Sequence, residues 1–160
     1  MRKRYLGVVV LALAVVVAGL MVASSFGQGS SSNKAVFAVL NGRSEVNPET
    51  GRRGAGDRNG GGSFSAIIDG RQLCWGIQVK NIDDPNAAHI HRGRTNQAGP
   101  VVQALEAPNA GDPGTSGGCV EISSRLARDL LKNPAKYYVN VHNADFPGGA
   151  VRGQLSGKAK

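Results

Sequence analysis

The sequence predicts an all-β fold, an antiparallel β-sandwich of about seven or eight strands of the Ig-like or Greek-key type, with one short helix. Two observations favour it: short β-rich apolar stretches recur along the chain, and turns rich in Gly, Pro and Asn separate them. Neither an internal repeat nor a second composition block follows the N-terminal segment. One domain is therefore expected, at residues 34–156.

The N-terminus predicts export. Residues 1–24 combine a basic start, Met1–Arg4, with an uncharged apolar run of 17 residues, Leu6–Val22. This pattern is typical of a signal peptide, although the length also reaches the lower limit of a membrane anchor. Residues 25–33 form a Gly/Ser-rich linker. We expect a secreted or extracytoplasmic domain, tethered to the membrane only if the N-terminal segment is retained.

The first half of the domain predicts an opening strand and a hairpin. Ala35–Leu40 is β-rich, whereas Gly51–Gly62 is so rich in glycine and polar residues that we expect a mobile loop that does not pack. Apolar residues alternate over Phe64–Ile68, as in a half-buried strand. The Asp69-Gly70 pair then predicts a tight turn into a strand at Leu73–Val79.

The second half predicts further strands and the helix. Strands are expected at Ala88–Gly93, Gly99–Leu105 and Cys119–Ile122, with a Pro/Gly loop over Ala107–Gly118. The helix that follows has Ser123 or Ser124 as its cap, Leu126, Leu130 and Leu131 on one side, and Pro134 at its end. It is expected to close one end of the sandwich.

A final hairpin is expected between Tyr137–Val141 and Ala150–Leu155. Since residues two apart in a strand share a face, two faces are predicted. The apolar face carries Tyr137, Val139, Val141, Val151 and Leu155, and the polar face carries Tyr138, Asn140, His142, Arg152 and Gln154.

All three histidines lie in two strand-like segments, AHIHRG at residues 88–93 and YYVNVHN at residues 137–143. Each is followed by a Gly-Pro or Pro-Gly turn and another strand, GPVV and PGGAVRGQL. Together with LNGRSEVNP at residues 40–48, these motifs resemble the CHRD (chordin) domain over about Ala35–Leu155. The resemblance implies a secreted all-β domain whose biochemical role is poorly defined. Asn47 and Ala150 depart from the family, which usually has proline and an acidic residue at these positions.

Cys74 and Cys119 are the only cysteines. An even count in an exported chain predicts a disulfide, with two buried thiols in separate strands as the alternative. In the chain-entropy model a loop of about 45 residues contributes roughly 4 kcal/mol. A catalytic thiol is not expected, because the apolar context Leu73-Cys74-Trp75 would raise its pKa.

The formal net charge is +8, and removal of Arg2, Lys3 and Arg4 leaves 16 basic residues against 11 acidic ones. Nucleic-acid binding is not expected, because the charges are scattered and have few aromatic residues beside them for base stacking. Arg52, Arg53 and Arg58 are a candidate anion-binding loop, although a solvated loop is the simpler interpretation. The partner classes left open are a cell-surface or extracellular polymer or protein.

The histidines allow two interpretations. His89, His91 and His142 could ligate copper or zinc. They could instead form a structural hydrogen-bonded network with Asn140, Arg152 and Gln154. We favour the network, because Arg152 on the same face would repel a cation and no Cys or Met is placed as a soft copper ligand.

Enzyme signatures are missing from the sequence. No nucleophile elbow, pair of catalytic carboxylates or phosphate-binding loop can be recognised. The acidic residues that could be considered lie beside turn residues, where carboxylates usually cap backbone amides: Glu45, Asp83, Asp84 and Asp145. The favoured function is a non-catalytic binding or structural module at the cell surface, without a cofactor. The first alternative is a copper or zinc metalloprotein, or a small redox enzyme, that uses the three histidines. The second is adhesion to anionic polymers through the loop that carries Arg52, Arg53 and Arg58, which we call the arginine loop.

Overall fold

The computed structural model describes residues 34–111 and 114–157, so the expected signal segment and linker lie outside the described residues. The strands, in chain order, are β1 (Ala35–Asn41), β2 (Gly61–Asp69), β3 (Gln72–Lys80), β4 (Ala87–Arg92), β5 (Val101–Leu105), β6 (Gly114–Glu121), β7 (Tyr137–His142), β8 (Val151–Gln154) and β9 (Ser156–Gly157). Helix α1 (Ser124–Lys132) precedes β7, and short 3₁₀ turns occupy Gly42–Ser44 and Pro134–Lys136. Within the described residues no helix is long and apolar enough to cross a membrane.

The strands are antiparallel and follow one hydrogen-bonded path, β5-β4-β7-β8-β1-β2-β3-β6, with β9 added beside β1. The predicted all-β antiparallel fold with one helix is therefore confirmed. The two halves of the path, β5-β4-β7-β8 and β1-β2-β3-β6, join through one β1–β8 register pair, Asn41 with Arg152. The sheet curls so that both halves contribute side chains to a single hydrophobic core.

Alternation along the strands decides which side chains enter this core. Val36, Ala38 and Leu40 are buried in β1, whereas Phe37 and Val39 between them are exposed. The same period of two runs through β2, as the sequence predicts for a sheet with one face on the core. The inward side chains of both halves therefore meet in one apolar layer.

Helix α1 begins and ends where the sequence predicts. Ser123 is the N-cap, its side chain accepting a hydrogen bond from the backbone N–H of Leu126, and Pro134 follows the last turn. Ala127 and Leu130 are buried in the core cluster. The helix thus covers part of the core, and its closure of one end of the sandwich stays a prediction.

The sixth strand differs from its prediction. The sequence predicts a loop over residues 107–118, but β6 begins at Gly114 and pairs with β3 along its whole length. Glycine suits this strand, because a Cβ at Gly118 would make a tight contact of 3.0 Å with the Trp75 ring. Glycine here permits close packing between strands. Because glycine is more often found in loops, the sequence pattern predicted a loop instead. Strand β5 likewise starts at Val101 rather than Gly99, and the short β9 was not predicted.

The glycine-rich segment after β1 also differs from its prediction. We expected residues 51–62 not to pack, but Gly56 and Gly60 are buried. The N–H of Gly54 donates to the Glu45 carbonyl at 2.8 Å, and the N–H of Gly56 donates to the Gly42 carbonyl at 3.2 Å. A Cβ at Gly56 would lie 2.4 Å from the Ala150 carbonyl oxygen. The missing side chain lets this segment lie directly against the backbone, and the expectation of an unpacked loop is wrong there.

Cys74 and Cys119 form the predicted disulfide and are direct cross-strand partners in β3 and β6. Because β6 lies at one edge of the sheet path, the bond fastens an edge strand to its neighbour. The alternative of two separate buried thiols is excluded, and Cys119 is exposed on the solvent side.

The disulfide closes a loop with a sequence separation of 45 residues. The double variant Cys74→Ser/Cys119→Ser should therefore lose up to about 4 kcal/mol of unfolding free energy, since its unfolded chain is less constrained. Urea unfolding followed by circular dichroism measures this loss. Reductant should destabilise the wild type and leave the double variant unchanged. Equal stability of the two proteins would contradict the role given to this bond.

A second tie joins α1 to β7. The Tyr137 hydroxyl donates a hydrogen bond to the Asp129 carboxylate, and the Arg92 guanidinium lies 5.3 Å from the Tyr137 ring centroid. Burial and the hydrogen bond raise the pKa of Tyr137 to about 12. The same hydrogen bond, with one from Asn133, lowers the pKa of Asp129.

A phenol whose folded pKa exceeds its unfolded value stabilises the fold below the unfolded pKa, and this contribution is lost as the pH rises through the folded value. Wild-type stability should therefore fall as the pH rises from 10.0 towards about 12. Tyr137→Phe should lose roughly 1–2 kcal/mol at pH 7 and show a weaker alkaline decline. Urea unfolding at pH 7, 9 and 11.5 tests both points. An unchanged alkaline decline in the variant would assign it to another group.

Candidate functional site

The polar residues of β4, β7 and β8 form one surface, which we call the polar face. His89 pairs with Asn140, which pairs with Arg152, and His91 pairs with Tyr138, which pairs with Gln154. These pairs share a face because cross-strand partners point to the same side of a sheet, and His142 extends that face because it lies two residues after Asn140 in β7. The predicted sharing of one face is confirmed. Every residue of β7 is nevertheless buried, so the polar face is covered as well as the apolar one.

A loop of residues 93–100 covers part of the polar face and is held by side-chain donors. Nη2 of Arg152 donates to the carbonyls of Arg94 and Gln97, both at 2.9 Å. Nδ1 of His91 lies 2.8 Å from the Gly99 carbonyl oxygen. Nε2 of Gln154 donates to the Gly93 carbonyl at 2.8 Å. Two strands, β4 and β8, thus supply donors to the backbone of one loop.

The 143–149 loop covers the other end of the polar face. Nδ1 of His142 lies 3.0 Å from the Pro147 carbonyl oxygen. The side-chain oxygen of the buried Asn143 accepts from the N–H of Phe146 at 2.8 Å. Sequence reasoning missed Asn143. Its position two residues before Asp145-Phe146-Pro147 is a turn signal that could have indicated this role.

Arg152 is the centre of a layered stack. It is 1% exposed, and its Cζ lies 3.3 Å from the centroid of the Tyr138 ring. His91 stacks on the same tyrosine with ring centroids 4.7 Å apart and planes 10° from parallel. Since β7 lies between β4 and β8, the tyrosine ring separates the guanidinium from the imidazole.

Glu45 is the counter-ion of Arg152, a role that was not predicted from the sequence. Its Oε1 lies 3.8 Å from Nη1 of Arg152 and accepts from the Val46 N–H at 2.9 Å. Glu45 is 2% exposed, and burial raises the pKa of its carboxyl although the Val46 amide and Arg152 oppose this. Oε1 of Glu45 has the expected role of capping a backbone amide. The position of Glu45 beside turn residues did not predict its buried ion pair with Arg152. A buried arginine requires a nearby carboxylate, which is the signal that could have found Glu45.

The three histidines converge at the edge of this stack. Nδ1 of His89 lies 3.1 Å from Nε2 of His142, and one ring nitrogen from each histidine lies within 4.8 Å of the others. Burial lowers the pKa of all three imidazoles, so each is neutral at pH 7. Neutral imidazoles in such a cluster can exchange hydrogen bonds or share a metal ion.

The hydrogen-bond partners of these rings, within residues 34–111 and 114–157, are one another and two backbone carbonyls. None is a carboxylate, so the pairing of a general base with an orienting acid is not formed here. This arrangement supports hydrogen bonding to loops and metal ligation.

The candidate anion-binding loop lies outside the histidine cluster. Arg52, Arg53 and Arg58 are exposed, and Arg53 forms a backbone bridge with Val46, next to Glu45. The positive charge of Arg53 contributes, after burial, to lowering the pKa of Arg152. The disulfide belongs to the other half of the sheet path, at β3 and β6, and has no part in the polar face.

Comparison with known protein families supports this part of the chain as a recognised domain. The model of the family described as CHRD domain matches residues 36–155, which include all strands of the polar face. No curated protein sequence matches the chain.

Replacement of Arg152 by Met should be strongly destabilising, because it leaves the Glu45 carboxyl buried without its partner and releases the 93–100 loop. A loss of roughly 3–5 kcal/mol is expected in urea unfolding. Hydrogen exchange should show the loss of protection concentrated at residues 93–100 in variant protein that remains folded.

The double variant Glu45→Gln/Arg152→Met provides the control. It should recover part of the loss, since no unpaired charge remains buried. Additive effects of the two substitutions would show that the pair does not interact.

Proposed function

The chain belongs to the CHRD domain family, and from this we propose that it is an extracytoplasmic, non-catalytic module that presents ordered loops to a partner at the cell surface. The observation that carries the proposal is the use made of the buried polar side chains. Arg152, His91 and His142 all direct donors to loop carbonyls. Donors engaged in this way hold the loops in a defined arrangement, which suits a binding surface.

The size of the space beside these loops supports a macromolecular partner. The segments containing Glu45–Pro48 and Asp145–Gly149 enclose a cavity of about 150 Å³. Sites for small molecules usually measure about 300–1,000 Å³. A partner at these loops would therefore be recognised mainly by contact with their outer surface.

An extracytoplasmic location is supported by the disulfide, which persists in oxidising compartments. The apolar run at Leu6–Val22 adds support from the sequence, although it lies outside the described residues. Both features agree with a domain that works after export.

The arginine loop favours an anionic polymer as the partner. The Asn47 N–H donates to the Arg52 carbonyl at 2.9 Å, and the Gly51 N–H donates to the Asn47 carbonyl at 2.9 Å. Arg52 and Arg53 are therefore exposed on a hydrogen-bonded turn, where binding orders less of the chain than in a free loop. Guanidinium groups bind carboxylate and sulfate oxygens in a bidentate manner.

The full chain should bind heparin-agarose and elute with salt. The variant Arg52→Gln/Arg53→Gln/Arg58→Gln should elute at clearly lower salt, since three exposed cations are removed from one loop. A matched control is Arg125→Gln/Arg128→Gln/Lys132→Gln, which removes the same charge from exposed positions of α1. The control should elute close to the wild type. Equal shifts in both variants would show attraction to net charge alone and would reject the loop as the binding surface.

A further inference from the structure

The three histidines have the arrangement of ligands around one ion. From their geometry we infer that His89, His91 and His142 form a binding site for a single Cu²⁺ or Zn²⁺ ion at the solvent-facing edge of the polar face. This goes beyond the loop-presenting function, which requires only the hydrogen bonds from Nδ1 of His91 and of His142 to the loop carbonyls. All the histidines of the chain take part, because it has only three.

Backbone contacts determine which nitrogens are free. A carbonyl oxygen only accepts, so the contacts of His91 Nδ1 with Gly99 and of His142 Nδ1 with Pro147 place a hydrogen on each Nδ1. The Nε2 atom of each ring then carries a lone pair. Metal-bound histidines are typically oriented in this way, with the second nitrogen donating to a carbonyl or carboxylate.

His91 supplies the strongest single indication of a ligand. The residue is 8% exposed, and its buried Nε2 makes no hydrogen bond of good geometry among the described residues, although the Asn140 side chain lies near enough to raise the pKa of the ring. Leaving a buried acceptor unpaired costs about 1–3 kcal/mol. Coordination of an ion by this lone pair would remove that cost, whereas the loop-holding role of His91 uses only Nδ1.

The spacing of the nitrogens suits one ion after a small movement. Ligand nitrogens about 2.0–2.1 Å from a tetrahedral ion lie about 3.3–3.4 Å from one another. The 3.1 Å contact between His89 and His142 is already near this value, and the cluster as a whole spans no more than 4.8 Å. His89 is only partly buried, so its ring can turn towards the other two without disturbing the core.

His89 can change from hydrogen-bond donor to ligand without a change in charge. When His142 Nε2 is an acceptor, the 3.1 Å contact places the hydrogen on His89 Nδ1. Transfer of this hydrogen to Nε2 of the same ring gives the other neutral tautomer and frees the Nδ1 lone pair. Three neutral nitrogens then face the ion, which leaves the fourth position of a tetrahedral ion for a ligand such as water.

The sequence predicts that the positive charge of Arg152 would repel a metal cation on this face. The structure shows two features that reduce this repulsion. The Tyr138 ring lies between Arg152 and His91, in contact with both. Nη1 of Arg152 is also 3.8 Å from the Glu45 carboxylate, so the guanidinium has a nearby negative partner. The ring and the carboxylate therefore weaken the effect of Arg152 on the cluster, although its charge still contributes to lowering the pKa of His91.

The ligand set indicates the class of metal. Three imidazoles suit Zn²⁺ and Cu²⁺, whereas Ca²⁺ and Mg²⁺ require oxygen ligands. For a given nitrogen site the divalent series places Cu²⁺ above Zn²⁺. Copper should therefore bind more tightly, and zinc should occupy the same three nitrogens.

The test uses the full chain, purified without a histidine tag, freed of metal with a chelator and titrated separately with Cu²⁺, Zn²⁺ and Mg²⁺. We expect one equivalent of copper or zinc, tighter binding of copper, and no binding of magnesium in isothermal titration calorimetry. The electron paramagnetic resonance spectrum of the copper form should show nitrogen hyperfine structure. The thermal midpoint should rise with either bound metal.

His89→Gln is the decisive variant, because His89 is partly exposed and makes no contact with the covering loops through a backbone carbonyl. It should keep its fold and lose metal affinity by at least about tenfold. Asn86→Ala, an exposed position just before β4, is the matched control and should bind as the wild type does. Absence of stoichiometric binding to the wild type, or unchanged affinity in His89→Gln, would overturn the inference. Either result would leave the heparin measurement unaffected, so the two proposals fail independently.

Discussion

The buried guanidinium of Arg152 is the constraint around which the polar half of the domain is arranged. A charge with 1% exposure is costly unless partners compensate it, and here Nη2 has two carbonyl acceptors whereas Nη1 has only the Glu45 carboxylate at 3.8 Å. Tyr138 supplies an aromatic face, Glu45 supplies the opposite charge, and the carbonyls of Arg94 and Gln97 accept from one terminal nitrogen. These partners come from three separate parts of the chain, so compensating one side chain brings strand β7, the 93–100 loop and the segment after β1 into a single arrangement.

Strand β7 shows how this arrangement serves two purposes. Its apolar face, with Val139 and Val141, packs into the core shared by both halves of the sheet. Its polar face holds the covering loops and positions the histidines. Because neither face meets solvent, the strand is buried along its whole length. The loops are therefore attached to the most deeply buried part of the domain, which favours a defined loop surface over a flexible one.

Much of the fold follows from local patterns in the sequence. Alternation in β1 and β2, the Asp69-Gly70 turn, the Ser123 cap and the pairing of Cys74 with Cys119 all depend on neighbours along the chain or on simple counting. The sharing of one face by His89, His91, Asn140 and His142 follows from the period of two. Glycines misled the same reasoning, since Gly56 and Gly118 permit close approach of backbone or of an indole ring, where the sequence indicated loops.

The sequence by itself determined the strand periodicity, the family, the disulfide pair and the set of polar residues that share a face. Only the tertiary structure decided that Glu45 meets Arg152, that Tyr138 separates this arginine from His91, and that the Nε2 of His91 is left without a partner. The reason is physical. Periodicity is a property of neighbouring residues, whereas a buried ion pair joins positions 45 and 152, whose contact depends on how the whole sheet curls.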